Sequence, residues 1–236
     1  MGAVWRPRLN SVSLQSSRIT AWDALPTGAG LKSLHLGYTG IDNADGLNRF
    51  PALERLNLSA TGVSGVFPIP GTLRHLDLSF TKISGLDASD GCRLEKISFA
   101  DTPVGDLSSL NRCAALAEIE MRSSAATSLV GLSGLSRLRD ISASHAAIRQ
   151  IADLHGLDGL EWLDLSDNSA LESIEGIQNF KNLTHIYLYR TPPDLDVSPL
   201  LALPRLRDVG LPAGADPRIV AALRTKGVRV RLDNED

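Results

Sequence analysis

Apolar residues along the chain first alternate and then change stride, and the whole pattern recurs at a nearly fixed interval. The stretch LRHLDLSFTKI holds the unit, Leu73-x-x-Leu76-x-Leu78-x-x-Thr81-x-Ile83. The same template starts at Leu9, Leu31, Leu53, Leu94, Leu116, Leu138, Leu160, Leu183 and Leu206, with consecutive starts 20 to 23 residues apart. A period of this length marks a solenoid, whose units bury their apolar faces against one another and not alone.

Within each unit, Leu-x-x-Leu-x-Leu has the period of two that belongs to a short strand with one buried face. The chain then turns at Thr39, Thr61, Thr81, Thr102 or Thr191, or at a substitute such as Ser124 or Asn168. Hydroxyl and amide side chains suit such a turn because they can bond backbone groups left unpaired there. Beyond the turn the apolar stride becomes three, as in Val104, Leu107, Leu110 and Cys113. That stride predicts 3-10 or extended return segments, too short for a full helix. The third repeat, with Pro68 and Pro70, is expected to be extended because proline lacks the amide donor. The repeats from Leu160 and Leu183 carry one extra residue each, which predicts small bulges on the rim.

The ends depart from the template. Residues 1–30 read as a degenerate capping repeat that Val4 and Trp5 help to seal, and 31–211 as regular repeats. Residues 212–236 read as a C-terminal cap. There Asp216-Pro217 predicts a helix start, Ile219, Val220 and Leu223 its apolar stripe, and Gly227 its end. A final strand over Val228–Leu232 follows, whose Arg229 and Arg231 discourage end-to-end pairing. The whole of 1–236 is expected to form one domain.

The unit LxxLxLxxTxI with a period near 22 resembles the leucine-rich repeat, and is similar to its bacterial internalin-like class with Thr at the usual Asn position. The resemblance covers nearly the whole chain. It implies an α/β solenoid: a curved right-handed superhelix with a parallel β-sheet on the concave face and 3-10 or extended segments on the convex face. A short helix and strand would close it. The chain departs from the ribonuclease-inhibitor class with its full helices, from the double-Leu-Pro effector class and from members with cysteine-rich caps. The resemblance also implies a concave face used to grip proteins.

Side chains between the buried leucines should form columns on that face. The third repeat position runs Ser11, Ser33, Arg55, His75, Lys96, Glu118, Asp140, Trp162, His185, Asp208. The fifth includes Asp77, Glu120, Asp164 and Tyr187, the seventh Tyr189, and the last outward column Phe80, Asp101, Asp167 and Arg190. Exposed Trp162, Tyr187 and Tyr189, with His185 and Arg190, are candidate anchors, since interfaces favour Trp, Tyr and Arg. Asp77, Glu118, Glu120, Asp140, Asp164 and Asp167 add an acidic run that would steer a basic partner. Phe80 completes the candidate partner-binding set.

Composition changes this picture little. A net charge of -3 gives no general affinity for nucleic acid. The absence of a long apolar run at either end fits a soluble cytoplasmic protein without membrane attachment. On that basis the two cysteines, Cys92 and Cys113, are expected to be reduced core thiols, although they fall one rung apart. No phosphate loop, metal-binding His-Glu-x-x-His, CxxC pair or nucleophile elbow occurs, so no enzymatic activity, metal or cofactor is expected. The expectation is a free monomer that binds another protein with a basic surface. Among bacterial proteins it looks like a stand-alone inhibitor or an immunity protein against a toxin, the alternative being an effector or surface ligand for a host protein.

Overall fold

A computed structural model describes residues 9–233. Its short strands are β1 (Ser11–Ser13), β2 (Ser33–His35), β3 (Arg55–Asn57), β4 (Ser64–Ile69), β5 (His75–Asp77), β6 (Lys82–Ala88) and β7 (Lys96–Ser98). After these come β8 (Glu118–Glu120), β9 (Asp140–Ser142), β10 (Trp162–Asp164), β11 (His185–Tyr187), β12 (Asp208–Leu211) and β13 (Arg229–Leu232). Eleven of them form one parallel sheet in the order β1-β2-β3-β5-β7-β8-β9-β10-β11-β12-β13. The fold is a leucine-rich repeat solenoid, with one rung per repeat.

The register is the repeat made physical. Leu34, Leu56, Leu76, Ile97, Ile119 and Ile141 pair in succession, as do Leu163, Ile186, Val209 and Val230 further on. All of these point inward and are buried, so the core is a continuous apolar column along the solenoid. Each rung covers the apolar surface of the next, and only the two ends need separate sealing.

The nine rungs from β1 to β11 leave the sheet through one backbone conformation. Ser16, Tyr38, Ala60, Phe80, Asp101, Ser123, His145, Asp167 and Arg190 all adopt left-handed φ between 51° and 60°. None is glycine, so each accepts a conformation that L-residues disfavour by roughly 1–2 kcal/mol. Hydrogen bonds hold them there. The amide of Tyr38 donates to the Ser59 carbonyl at 2.9 Å, that of Phe80 to Ala100 at 2.8 Å and that of Asp167 to Tyr189 at 2.7 Å, each one rung ahead. The following Thr closes the turn: Thr39, Thr61 and Thr81 donate to the carbonyls of Leu36, Leu58 and Leu78 at 2.6 Å.

Return segments follow the predicted stride. They form 3-10 turns at Leu47–Arg49, Ser108–Arg112, Val130–Leu132, Ile177–Asn179 and Ser198–Ala202. The proline-bearing third repeat is extended, as its sequence predicts, in β4. It also recruits the next rung, so that β4 and β6 pair as a second, two-stranded parallel sheet. The extra residues of the two long repeats fall around Ser169-Ala170 and Pro192–Asp194, while β10, β11 and β12 stay paired without interruption.

The C-terminal cap matches its sequence signature. Helix α1 spans Pro217–Thr225, and its Asp216 carboxylate accepts from the Arg218 amide at 2.8 Å. At the other end Trp22 and Leu25 are buried, and the indole of Trp22 donates to the Asn43 carbonyl at 3.0 Å. Val4 and Trp5, the expected seals, lie outside the described residues. No helix among the described residues is long and apolar enough to cross a membrane.

One expectation fails. Cys92 and Cys113 are not free thiols but a disulfide, with Cα atoms 4.7 Å apart. Stacking puts the same position of successive rungs about one strand spacing apart, which lies within bridging range. The bond ties neighbouring rungs across a sequence separation of 21 residues. Replacing both cysteines by serine is expected to cost about 3 kcal/mol in urea unfolding, the loop-closure scale for this span. Thiol titration of the unfolded wild-type chain, prepared without reductant, should find none, and two free thiols would contradict the bridge.

Candidate functional site

Half of the candidate residues converge on one patch. Register places Asp140, Trp162 and His185 side by side on β9, β10 and β11, and Ser142, Asp164 and Tyr187 in the adjoining column. The ring of Trp162 meets that of Tyr187 edge-on, with centroids 5.7 Å apart, and Tyr187 stacks on Tyr189 at 5.9 Å. The three aromatics are therefore not freely exposed, as the sequence suggests, but half-buried in one another. Such packing fixes their rotamers before any partner arrives, which lowers the entropic cost of binding.

Gly210 makes the stack possible. A Cβ built on it would overlap the ring of Tyr189, which lies over β12 where every other strand of that column carries a side chain. The sequence shows only a glycine in a strand, a signal for close approach that points to no particular ring. Burial, and after it the charge of Asp208, raises the Tyr187 hydroxyl above the ordinary phenol range.

The acidic run divides into carboxylates already engaged by the fold and carboxylates left over. Asp77, Glu120 and Asp164 each accept from the amide two residues on, at Ser79, Arg122 and Ser166, over 2.9 to 3.1 Å. That amide precedes the left-handed residue, so these acids serve the turn. Asp77 also accepts from Asn57 Nδ2 at 2.8 Å. Glu118 pairs with Lys96 across adjacent strands. Asp167 is saturated by the Arg190 guanidinium, which grips it with both Nε and Nη2, and lies 3.3 Å from His145 Nδ1. Arg190 in turn holds the Asp167 carboxyl below the usual carboxylate range.

Asp140 is different. Its carboxylate makes no hydrogen bond or ion pair with the described residues and is pushed up, first by burial and then by Glu118 and Glu161, against smaller opposing pulls from Lys96 and Arg139. A carboxylate whose own fold disfavours its charge gains most from an incoming cation. Trp162 stands beside it, ready to offer a π-face to the same cation. Asp208, expected on the open face, is instead buried at the C-terminal end, where Arg231 lies 2.7 Å and Arg229 3.4 Å from its Oδ2. His185 sits against the aromatic patch, its Nδ1 2.8 Å from Thr184 Oγ1.

Phe80 lies apart, on the strand-exit rim of β5, where it is 54% exposed. Among the described residues no group of three or more His, Cys, Asp or Glu side chains could hold a metal ion. The geometry is that of a rigid, mixed aromatic and acidic surface.

A family model described as Leucine Rich Repeat matches residues 72–111. No curated protein sequence matches the chain. Solved structures share the fold at low identity. An internalin (inlF) from Listeria monocytogenes is 14% identical with a TM-score of 0.58, the match covering 97% of this chain and 87% of that one. The leucine-rich repeat domain of APL1B is 17% identical at a TM-score of 0.70, over 97% of this chain and 78% of that one. A chain of the LRIM1/APL1C complex is 17% identical at 0.67, over 94% and 47% respectively. The chain thus has the leucine-rich repeat fold and is structurally similar to Listeria internalins.

Gly210→Ala should lower stability by about 1–3 kcal/mol, the usual cost of overpacking. The same change in a Tyr189→Ala background should cost much less, because the ring it strikes is gone. Equal costs in the two backgrounds would show that Gly210 is not there for Tyr189.

Proposed function

We propose that the chain is a non-enzymatic binding protein that holds a partner with a basic surface on the concave face of β8 to β11. The observation that carries this reading is the pairing of a pre-stacked aromatic cluster with Asp140, whose carboxylate has no ion-pair or hydrogen-bond partner among the described residues. A lysine or arginine of the partner would neutralise Asp140 and lie against Trp162, with Asp164 and Glu118 close by. Tyr187, Tyr189 and His185 supply the surrounding contact area, and the rim pair Asp167–Arg190 sets its edge. A rigid inner wall that occludes a basic patch suits inhibition, and an immunity protein that neutralises a bacterial toxin is the role this chemistry fits best. Such a protein would work as a monomer that forms a one-to-one complex.

A second reading, a ligand acting on the surface protein of a host, is favoured by the Cys92–Cys113 disulfide, because such bonds persist in oxidising compartments and not in the cytoplasm. The LRIM1/APL1C structure, an assembly containing this same fold, is also compatible with it. Fractionation of native cells separates the two: an immunity protein stays with the producing cell, and a surface ligand is released or displayed.

Trp162→Ala and Tyr187→Ala should each weaken partner binding by about 2 kcal/mol or more, the hot-spot scale. The measurement is quantitative capture from the native host by wild-type and variant chains, followed by titration of the captured protein. The captured protein should be basic and lost from both variants. Equal retention by both would remove the assigned site.

A further inference from the structure

The concave face changes sign halfway along. In the column at the third repeat position, Arg55, His75 and Lys96 stand on β3, β5 and β7, and Glu118 and Asp140 on β8 and β9. Register makes these five consecutive neighbours, so the switch falls between two adjacent strands, bridged by the Lys96–Glu118 ion pair. The site assigned above uses only the acidic half.

The basic half has a cleft of its own, about 230 Å³, lined by His35, Arg55, Asn57, His75, Asp77 and Lys96 over an apolar floor. Arg55 is exposed, and its guanidinium makes no hydrogen bond or ion pair with the described residues. Nδ1 of His75 is buried without a hydrogen-bond partner. The one carboxylate in the lining, Asp77, accepts from the Ser79 amide and from Asn57 Nδ2 and forms no ion pair with Arg55. The lining therefore holds two cations, Arg55 and Lys96, to one carboxylate, and of the two cations only Lys96, through Glu118, has an ion-pair partner among the described residues.

At the strand exits of the same rungs stand the two aromatic members of the left-handed column. Tyr38 and Phe80 have φ of 57° and 59° and are 59% and 54% exposed. A bulky ring is poorly suited to that backbone and gains nothing from burial here, so neither the turn nor the core accounts for it. Ala60 occupies the rung between them and leaves a gap flanked by the two rings.

We infer that the N-terminal half of the concave face is a second subsite, which takes an acidic segment of the partner carrying a bulky apolar side chain. Its acidic groups meet Arg55, with Lys96 beyond it already engaged by Glu118, and its apolar group rests against Tyr38 and Phe80. The inference rests on the concave face being the docking surface and adds a polarity to it: acidic chain over β3 to β7, basic chain over β8 to β11. Charge complementarity selects this occupant, since a basic segment would meet like charge at Arg55, which has no ion-pair partner among the described residues.

Amide-resolved NMR titration with three synthetic peptides tests it: one of Glu and Phe, one of Lys and Phe, and a Ser and Phe control. The Glu/Phe peptide should move the amides of Arg55, His75 and Phe80, and bind at least about tenfold more weakly to Arg55→Glu and to Phe80→Asn. Asparagine tolerates the left-handed conformation, so the second variant removes the ring and spares the turn. The Lys/Phe peptide should move Glu118, Asp140 and Trp162 and be indifferent to Phe80→Asn. A Glu/Phe peptide that binds no better than the control, lands outside β2 to β7 or ignores Arg55→Glu overturns the second subsite. Loss of the Lys/Phe footprint alone would overturn the acidic site and leave this one standing.

Discussion

The hydrogen-bonded turn at the end of each strand is the constraint on which the rest of the molecule depends. It has two parts. A left-handed residue gives its amide to a carbonyl one rung ahead, and a buried Thr hydroxyl takes up the carbonyl three residues behind it. The first bond locks neighbouring rungs together, and the second keeps a buried acceptor from going unpaired, which would cost about 1–3 kcal/mol. Because the same turn recurs at each rung, the strands stay in register and every outward side chain falls into a column. At the last left-handed residue, Arg190, a side chain takes the place of the carbonyl, and the amide donates to Asp233 Oδ2 at 2.8 Å.

One departure from this pattern shows how the constraint is kept. In the rung that begins at Leu138, the position of Thr is taken by Ala146, which has no hydroxyl. The next rung supplies what is missing. Asn168, fully buried, donates to its own Leu165 carbonyl at 2.8 Å and also to the Ala143 carbonyl at 2.9 Å, while its Oδ1 accepts from the Ile148 amide at 3.0 Å. Only a side chain with both donor and acceptor can serve two rungs in this way. Sequence reading takes Asn168 for a simple substitute for Thr, because a one-dimensional template compares a residue with its own repeat and not with its neighbour's deficit.

The fold was legible for that reason: alternation, the Thr position, the stride of three, Pro68 and the Asp216-Pro217 cap are all local signals with local causes. What was missed depends on contacts between rungs. The disulfide was weighed by compartment when the stacking that makes it possible was already in the period. Gly210 gave no hint that it lies under Tyr189. The columns correctly brought Trp162, Tyr187, Asp140 and His185 together, but they counted Asp77, Glu120, Asp164 and Asp167 as free charge. The fold engages those acids in capping amides and pairing with Arg190, so the acidity available to a partner is smaller and more focused, at Asp140, than composition implies.

The most direct test of this account is a double-mutant cycle on Asn168 and Ala146, read by urea unfolding and by amide exchange on β9 and β10. Asn168→Thr should restore its own rung's bond yet strand the Ala143 carbonyl, costing about 1–3 kcal/mol, and adding Ala146→Thr should recover a substantial part of that loss. If Asn168→Thr is neutral, or Ala146→Thr brings no recovery, then the shared turn bond does not hold the rungs in register and the columns of the concave face lose their physical basis.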